Sequence, residues 1–212
     1  ATDGNGDALF QRVYTGIDNV SHWQLNKPAN AVTFTVMGND SVEKTNRIYG
    51  VLMENDSPGV LYNMAGVNGA EFRHYNAARY FFEQSKYLAP NLIILSLGTN
   101  EALGGTINTD DMYENIRQMV DSLKQQNPQA VFLITTPSDS YRRTRKGFHK
   151  NANTQKSKNN ISRFCEEQHY AYWDLNAVMG GYGSMMYWYR NGLAQRDLIH
   201  FTVRGYQLQG NL

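Results

Sequence analysis

Residues 92–97 read Leu-Ile-Ile-Leu-Ser-Leu, and the run stops at Gly98, Thr99 and Asn100. An apolar run this short, with helical patterns before and after it, predicts a strand buried on both faces, as in a parallel sheet layered between helices. Gly98 ends the run and leaves Thr99, Asn100 and Glu101 past the strand's carboxyl end, where open α/β sheets bind their ligands. Taken alone, Gly-Thr-Asn is also ordinary turn chemistry.

The chain around this run alternates strand and helix. Residues 60–64 predict a strand, and Gly66, Val67, Asn68 and Gly69 a turn. Residues 71–88 predict a helix with Phe72, Tyr75, Tyr80 and Phe81 on one face. A second helix spans 109–126, capped and charged by Thr109, Asp110 and Asp111, with Met112, Ile116, Met119, Val120 and Leu123 inward. Next come a strand at 131–135 stopped by Pro137, a basic loop over 142–146, a helix at 153–169 and a strand at 170–175. A glycine-rich loop at 180–183 leads to Tyr187, Trp188 and Tyr189, and a final helix begins after Thr202. This spacing predicts a doubly wound parallel sheet.

Residues 1–58 differ. β-prone runs at 13–14, 23–25, 31–37 and 47–53 are separated by turn chemistry at 27–30, 38–41 and 55–59. They predict antiparallel strands, part of a β-sandwich. A helix from Val42 to Glu54 competes with that reading, although Gly50 and the β-branched residues count against it.

Composition narrows the functional classes. The 212 residues suffice for one α/β domain, or one domain and part of another. A net charge of +1 points neither to a nucleic-acid binder nor to an acidic tail. The 14 Tyr, 9 Phe and 3 Trp fit a protein that faces carbohydrate. One cysteine, Cys165, excludes an internal disulfide and a cysteine-based zinc site, and its helical setting predicts a packed thiol. His22, His74, His149 and His169 show no ligand spacing, so no metal or other cofactor is expected. No apolar run is long enough to span a membrane. The chain begins at Ala1 without an initiator methionine and ends at Leu212 inside a helical pattern, and is expected to be a fragment cut at both ends.

Asp197 and His200 stand three residues apart. On a tight loop the carboxylate accepts the Nδ1 proton of the imidazole, which fixes the tautomer and frees Nε2 as a general base. Such a base needs an oxyanion hole. The Asn100 amide at a strand end and a backbone N–H of the Gly66 turn are suitable donors.

The Gly66-Val67-Asn68-Gly69 turn, Gly98-Thr99-Asn100 and Asp197-x-x-His200 resemble, in order, the second, third and fifth blocks of the SGNH (GDSL-like) hydrolases. The resemblance covers residues 59–212. It implies a flavodoxin-like three-layer αβα fold and ester hydrolysis by a Ser-His-Asp triad. By position it makes Gly66 and Asn100 oxyanion donors, Asp197 the orienting carboxylate and His200 the base. Glu101 replaces the family's commoner Asp at a mostly structural position.

The first block, Gly-Asp-Ser, is missing. The nearest match, Gly38-Asn39-Asp40-Ser41, reads as a hairpin turn, or as a nucleophile turn if 42–54 is helical. Ser96, Ser138 and Ser140 rank lower. The chain also resembles a subgroup, peptidoglycan O-acetylesterase-like, with a carbohydrate-binding-like β-sandwich inserted between the first and second blocks. Residues 1–58 would then be the C-terminal part of that insert. Residues 59–212 would be the hydrolase domain, truncated in its last helix. The nucleophilic serine and the central strand would lie upstream, leaving the chain inactive alone. The resemblance implies an extracytoplasmic esterase acting on O-acetyl groups of a polysaccharide, with no nucleic-acid partner. A lysophospholipase or thioesterase of the same fold, and a non-catalytic glycan-binding protein, are the alternatives. The basic loop at 142–150 reads as a solvated face or as a contact for an anionic glycan. Trp188 with Tyr182, Tyr187 and Tyr189 reads as a sugar-stacking wall or as packing beneath the His200 loop.

Overall fold

The computed structural model describes residues 10–15, 20–25, 29, 31–33, 48, 50–55, 57–78 and 80–212. The chain forms two compact units, residues 1–62 and 63–212. In the first, β1 (Phe10–Thr15) pairs antiparallel with β2 (Val20–Leu25), Phe10 opposite Leu25 and Thr15 opposite Val20. The β-prone runs at 13–14 and 23–25 fall on this hairpin. Residues 34–37 of the expected strand at 31–37, Ser41 with its turn, and the first half of the 42–54 segment lie outside the described residues.

The second unit is built on a parallel sheet of β3 (Leu92–Leu95), β4 (Val131–Thr135) and β7 (Ala171–Trp173), in the order β3-β4-β7. Leu92 lies opposite Val131, and Leu133 opposite Ala171. Strand residues alternate between faces. Leu95, Phe132 and Ile134 point to a core shared with α4 (Thr109–Gln126) and α5 (Ala152–Gln168). From α4, Met112, Ile116, Met119, Val120 and Leu123 are all buried, each contributing roughly 1.5–3 kcal/mol relative to an exposed side chain. Ile161, Phe164 and Cys165 supply the α5 side. Burial pushes the Cys165 thiol up to about 12, so it is a packed thiol, as expected.

On the opposite face Leu92, Ile94 and Val131 are each at least half exposed. Among the described residues the run at 92–97 is therefore covered on one face only, where the sequence predicts both. Continuous apolar character reports a strand's appetite for burial, not whether a layer covers both of its sides.

Two other elements differ from the sequence reading. Residues 60–64 form no strand, and Val60, Leu61, Tyr62 and Met64 are exposed. No described strand pairs with them, and an apolar run needs a partner ladder to persist as a strand. The helix expected over 71–88 is broken into α1 (Phe72–Asn76), α2 (Phe81–Ser85) and a 3-10 turn at Lys86–Leu88. Asn76 turns its amide out of α1 to Asn115 of α4, at 3.0 Å from the carbonyl. This side-chain bond anchors the chain to α4 where α1 stops.

Asparagines, short enough to reach their own backbone, start both long helices. The Asn108 oxygen accepts from the N–H groups of Asp110 and Asp111, one residue before the expected Thr109 cap. Asn151 caps α5 by accepting from the N–H of Asn153 at 3.2 Å. The expected basic loop is instead a hairpin, β5 (Tyr141–Thr144) paired antiparallel with β6 (Gly147–Lys150) across Arg145 and Lys146. The chain continues through α6 (Leu175–Val178), α7 (Ser184–Arg190) and α8 (Val203–Gln209).

Gly98 fixes the junction between β3 and α3 (Thr99–Leu103). It has φ +105°, and a Cβ there would come within 2.8 Å of the Ser157 hydroxyl and 2.9 Å of Ile161 on α5. Replacing Gly98 with Ala is expected to cost about 1–3 kcal/mol from backbone strain alone, with steric overlap adding to it. Urea titration of the two proteins measures this, and equal midpoints would refute it.

Candidate active site

The carboxyl end of β3 passes through Gly98 into α3, and the first turn of α3 carries Asn100 and Glu101. The Asn100 amide nitrogen donates to the Ala70 carbonyl at 2.8 Å. A carbonyl only accepts, so this bond fixes which end of the amide is nitrogen and leaves its second hydrogen free. Glu101 accepts from the Phe72 N–H at 2.8 Å, and its other oxygen is buried without a partner. Burial outweighs that hydrogen bond and pushes the Glu101 carboxyl above its ordinary value. Both side chains thus tie the start of α1 to the sheet edge.

The Gly66 turn leads into that anchored segment. It closes with the Ala70 N–H on the Val67 carbonyl at 3.1 Å, and Gly69 takes φ +76°. A positive φ at the third position is what a type II turn demands. Gly66 lies exposed one residue before this turn, and a Cβ there would meet nothing closer than Met64 at 3.9 Å. Space for an approaching ligand therefore exists at Gly66, but packing does not require glycine there.

Asp197 and His200 sit in a loop clipped shut by an antiparallel bridge between Ala194 and Phe201. The Gln195 N–H donates to the His200 carbonyl at 2.8 Å, and the Leu198 N–H to the Gln195 carbonyl at 3.1 Å. One Asp197 oxygen accepts the N–H groups of Ile199 and His200, at 2.9 and 3.0 Å. The other lies 2.7 Å from His200 Nδ1. Partial burial works against ionising Asp197. The hydrogen bonds from the His200 ring and backbone and from Ile199 outweigh it and hold the carboxyl below its ordinary value. An ionised carboxylate only accepts, so Nδ1 carries the proton and Nε2 presents a lone pair. The His200 side chain is 57% exposed, open to a substrate from solvent.

A chain of hydrogen bonds links the two halves of the site. The Asn151 amide donates to the Ala102 carbonyl of α3 at 3.0 Å and to the Ser140 hydroxyl at 3.1 Å. Next in sequence, the Tyr141 N–H donates to the Leu198 carbonyl at 3.0 Å. Ser140 follows β4 and Asn100 follows β3, both at the carboxyl edge of one parallel sheet. The structure thus joins Asn100 directly to the Gly66 turn and Asp197 directly to His200. The two pairs are connected through α3, Asn151 and Tyr141, with no direct hydrogen bond between them.

Among the described residues, no serine hydroxyl hydrogen-bonds His200, and no cluster of three or more His, Cys, Asp or Glu could hold a metal ion. Ser140 is buried against Thr154, and Ser96 bonds Thr135. Trp188 is buried, donates to the Met179 carbonyl at 2.9 Å and stacks on Phe201, so it packs beneath the His200 loop. A cavity of about 220 Å³ is lined by Glu71, Glu101 and Asp111 among others, and does not include His200.

Asp139 escaped the sequence reading. It is fully buried after β4, and one oxygen accepts from Gly183 and Met185, both at 3.0 Å, holding the start of α7 against the loop after β4. Its position just past a strand's carboxyl end was the available signal.

A profile of the GDSL-like Lipase/Acylhydrolase family matches residues 32–208. A peptidoglycan O-acetylesterase structure superposes with a TM-score of 0.61 at 25% identity, over 66% of this chain and 41% of that one. This chain therefore spans less than half of that protein's length. An acetyl xylan esterase superposes at TM-score 0.54 and 16% identity, over 69% of this chain and 76% of its own. A lipase/acylhydrolase from Enterococcus faecalis does so at 0.51 and 17%, over 68% of each chain. No curated protein sequence matches.

Because the Asp197 carboxyl is held below its ordinary value in the folded state, its contribution to stability is present above the unfolded value near 3.8 and lost as pH falls through the lower folded value. The thermal midpoint of wild type should therefore exceed that of Asp197→Asn at pH 5, and the gap should narrow as pH falls below the unfolded value. A gap that widens on acidification would contradict the assignment.

Proposed function

Since the chain belongs to the GDSL-like lipase/acylhydrolase family, with the parallel α/β sheet of SGNH hydrolases, we propose that it is part of a serine esterase that removes O-acetyl groups from a polysaccharide outside the cytoplasm. The observation that carries this reading is the Asp197–His200 pair, whose 2.7 Å bond fixes the imidazole tautomer and leaves Nε2 free. The acetyl preference draws on the peptidoglycan O-acetylesterase and acetyl xylan esterase likenesses.

In the proposed reaction a serine Oγ attacks the ester carbonyl while His200 Nε2 takes its proton. The tetrahedral oxyanion is held by the Gly66 N–H, the free Asn100 amide hydrogen and the serine N–H. His200 then protonates the departing sugar alkoxide, leaving an acetyl-serine. Water attacks that ester with His200 again as base, acetate leaves, and the serine recovers its proton. No Gly-Asp-Ser occurs in the 212 residues, so we assign the serine to a segment preceding residue 1. Asp197 holds the ring and stabilises the imidazolium; it does not itself take the proton.

No described helix is long and apolar enough to cross a membrane. An acetylated polysaccharide distinguishes this enzyme from a lysophospholipase or thioesterase, which would favour long acyl chains, and from a glycan binder, which would cleave nothing.

In the full-length protein, His200→Ala should lower kcat on an acetyl ester by about 10⁴-fold or more. Asn100→Ala should lower it by about 10²–10³-fold. Initial rates on p-nitrophenyl acetate and on p-nitrophenyl palmitate measure both the losses and the acyl preference. Wild-type turnover by His200→Ala would end the esterase reading. A faster palmitate reaction would move the enzyme to the long-chain class.

A further inference from the structure

The β5–β6 hairpin has no part in the acyl transfer described above. It carries Arg142, Arg143, Arg145 and Lys146, all exposed, and among the described residues none of these pairs with a carboxylate. The sequence has no Asp or Glu between Asp139 and Glu166. The net charge of +1 conceals a strong division. Residues 140–212 hold eleven Lys and Arg against four Asp and Glu, whereas residues 1–139 hold nine against fifteen. All four acids of the basic segment are engaged elsewhere: Glu166 with Tyr172, Glu167 with Tyr113, Asp174 with Lys158 and Asp197 with His200. An ordinary solvated face intersperses the two signs. Here one sign stands alone.

The hairpin is also built into the His200 loop. Tyr141 at its base is buried with Leu198, Phe201 and Trp188, and its N–H donates to the Leu198 carbonyl. At the other strand's end, Lys150 lies 5.0 Å from the centre of the Tyr182 ring. The Tyr141 hydroxyl donates to the Gly183 carbonyl at 3.3 Å. Tyr187, on the helix that follows, is 68% exposed. Cations, exposed aromatic rings and the general base therefore meet around one small core.

We infer that the hairpin's Arg142, Arg143, Arg145 and Lys146, with Tyr182 and Tyr187, form a docking strip for a carboxylate-bearing glycan chain whose acetyl ester is presented to His200. Guanidinium forks take carboxylates in two parallel hydrogen bonds, and a tyrosine face covers the apolar side of a sugar ring. A one-signed field beside the catalytic loop also raises the local concentration of an anionic polymer. Delivery to His200 rests on the esterase reading; the recognition of an anionic glycan does not.

The test uses the full-length protein, wild type and the variant Arg142→Gln/Arg143→Gln/Arg145→Gln/Lys146→Gln. Calorimetry measures binding to acetylated polygalacturonate and to neutral acetylated glucomannan at about 50 and 300 mM salt, alongside turnover of p-nitrophenyl acetate. Wild type is expected to prefer polygalacturonate and to weaken with salt. The variant is expected to lose about tenfold or more of that affinity and its salt dependence, with p-nitrophenyl acetate turnover unchanged. Equal affinity of wild type and variant, or equal binding of both glycans by wild type, overturns the proposal. Should the fourfold variant not fold, Arg145→Gln/Lys146→Gln at the hairpin tip is judged by the same criteria. Charge-dependent binding without p-nitrophenyl acetate turnover by wild type would sustain the strip and remove the esterase reading.

Discussion

The close approach of Gly98 to helix α5 sets the geometry of the sheet edge. Its carbonyl accepts the Ser157 hydroxyl at 2.8 Å, and its positive φ turns the chain straight from β3 into α3. Only that direction carries Asn100 and Glu101 back toward the start of α1, and Ala102 toward Asn151. Ser140 accepts from the Asn151 amide, and the next residue, Tyr141, reaches the His200 loop through Leu198. A slack turn after β3 would loosen the bonds made by Gly98, Asn100, Glu101 and Ala102, because each of these lies within four residues of that turn. Asn100 with the Gly66 turn, and Asp197 with His200, are thus held by a shared polar scaffold rather than by touching each other.

The acidic and basic side chains of the described residues gather in different places. The carboxylates Glu71, Glu101 and Asp111 line a cavity on the α1 side. The unpaired cations project from a hairpin on the His200 side. The basic hairpin is packed onto the loop that carries His200, through Tyr141 against Leu198 and Phe201.

Much of this was legible in the sequence, for physical reasons that also mark where legibility ends. Helix α4 matched its expected span and its five buried residues, because a single amphipathic stripe against a sheet leaves a clear 3.6-residue period. Strand β4 was found to the residue, since Pro137 and the apolar run bound it. Asp197 with His200 was readable because the pair is local: three residues suffice for the carboxylate to reach Nδ1. What stayed hidden depends on partners far along the chain. Residues 60–64 look like a strand but have no described ladder to join. The break in the 71–88 pattern answers to Asn115, nearly forty residues away. The role of Asp139 is fixed by N–H groups more than forty residues later. The run at 142–146 reads as a loop because nothing local announces that Arg145 and Lys146 form a two-residue turn.

The His200 loop shows how a local motif still depends on the fold. Leu198 lies between the two functional residues with φ +59°, a conformation that costs a branched side chain about 1–2 kcal/mol. The sequence Asp-Leu-Ile-His does not favour it unaided. It persists because Leu198 is buried against Tyr141, Trp188 and Phe201, and because its carbonyl accepts the Tyr141 N–H. The strain has a geometric use: it doubles the chain back so that one Asp197 oxygen meets two backbone N–H groups while the other meets Nδ1. With all three donors aimed at it, the carboxylate has little freedom to rotate, and neither has the imidazole. Orientation of His200 is therefore a property of the small core beneath the loop, and the same core carries the basic hairpin. A change that loosens Tyr141 or Trp188 acts on both at once, which couples the hairpin to the positioning of His200 through packing alone.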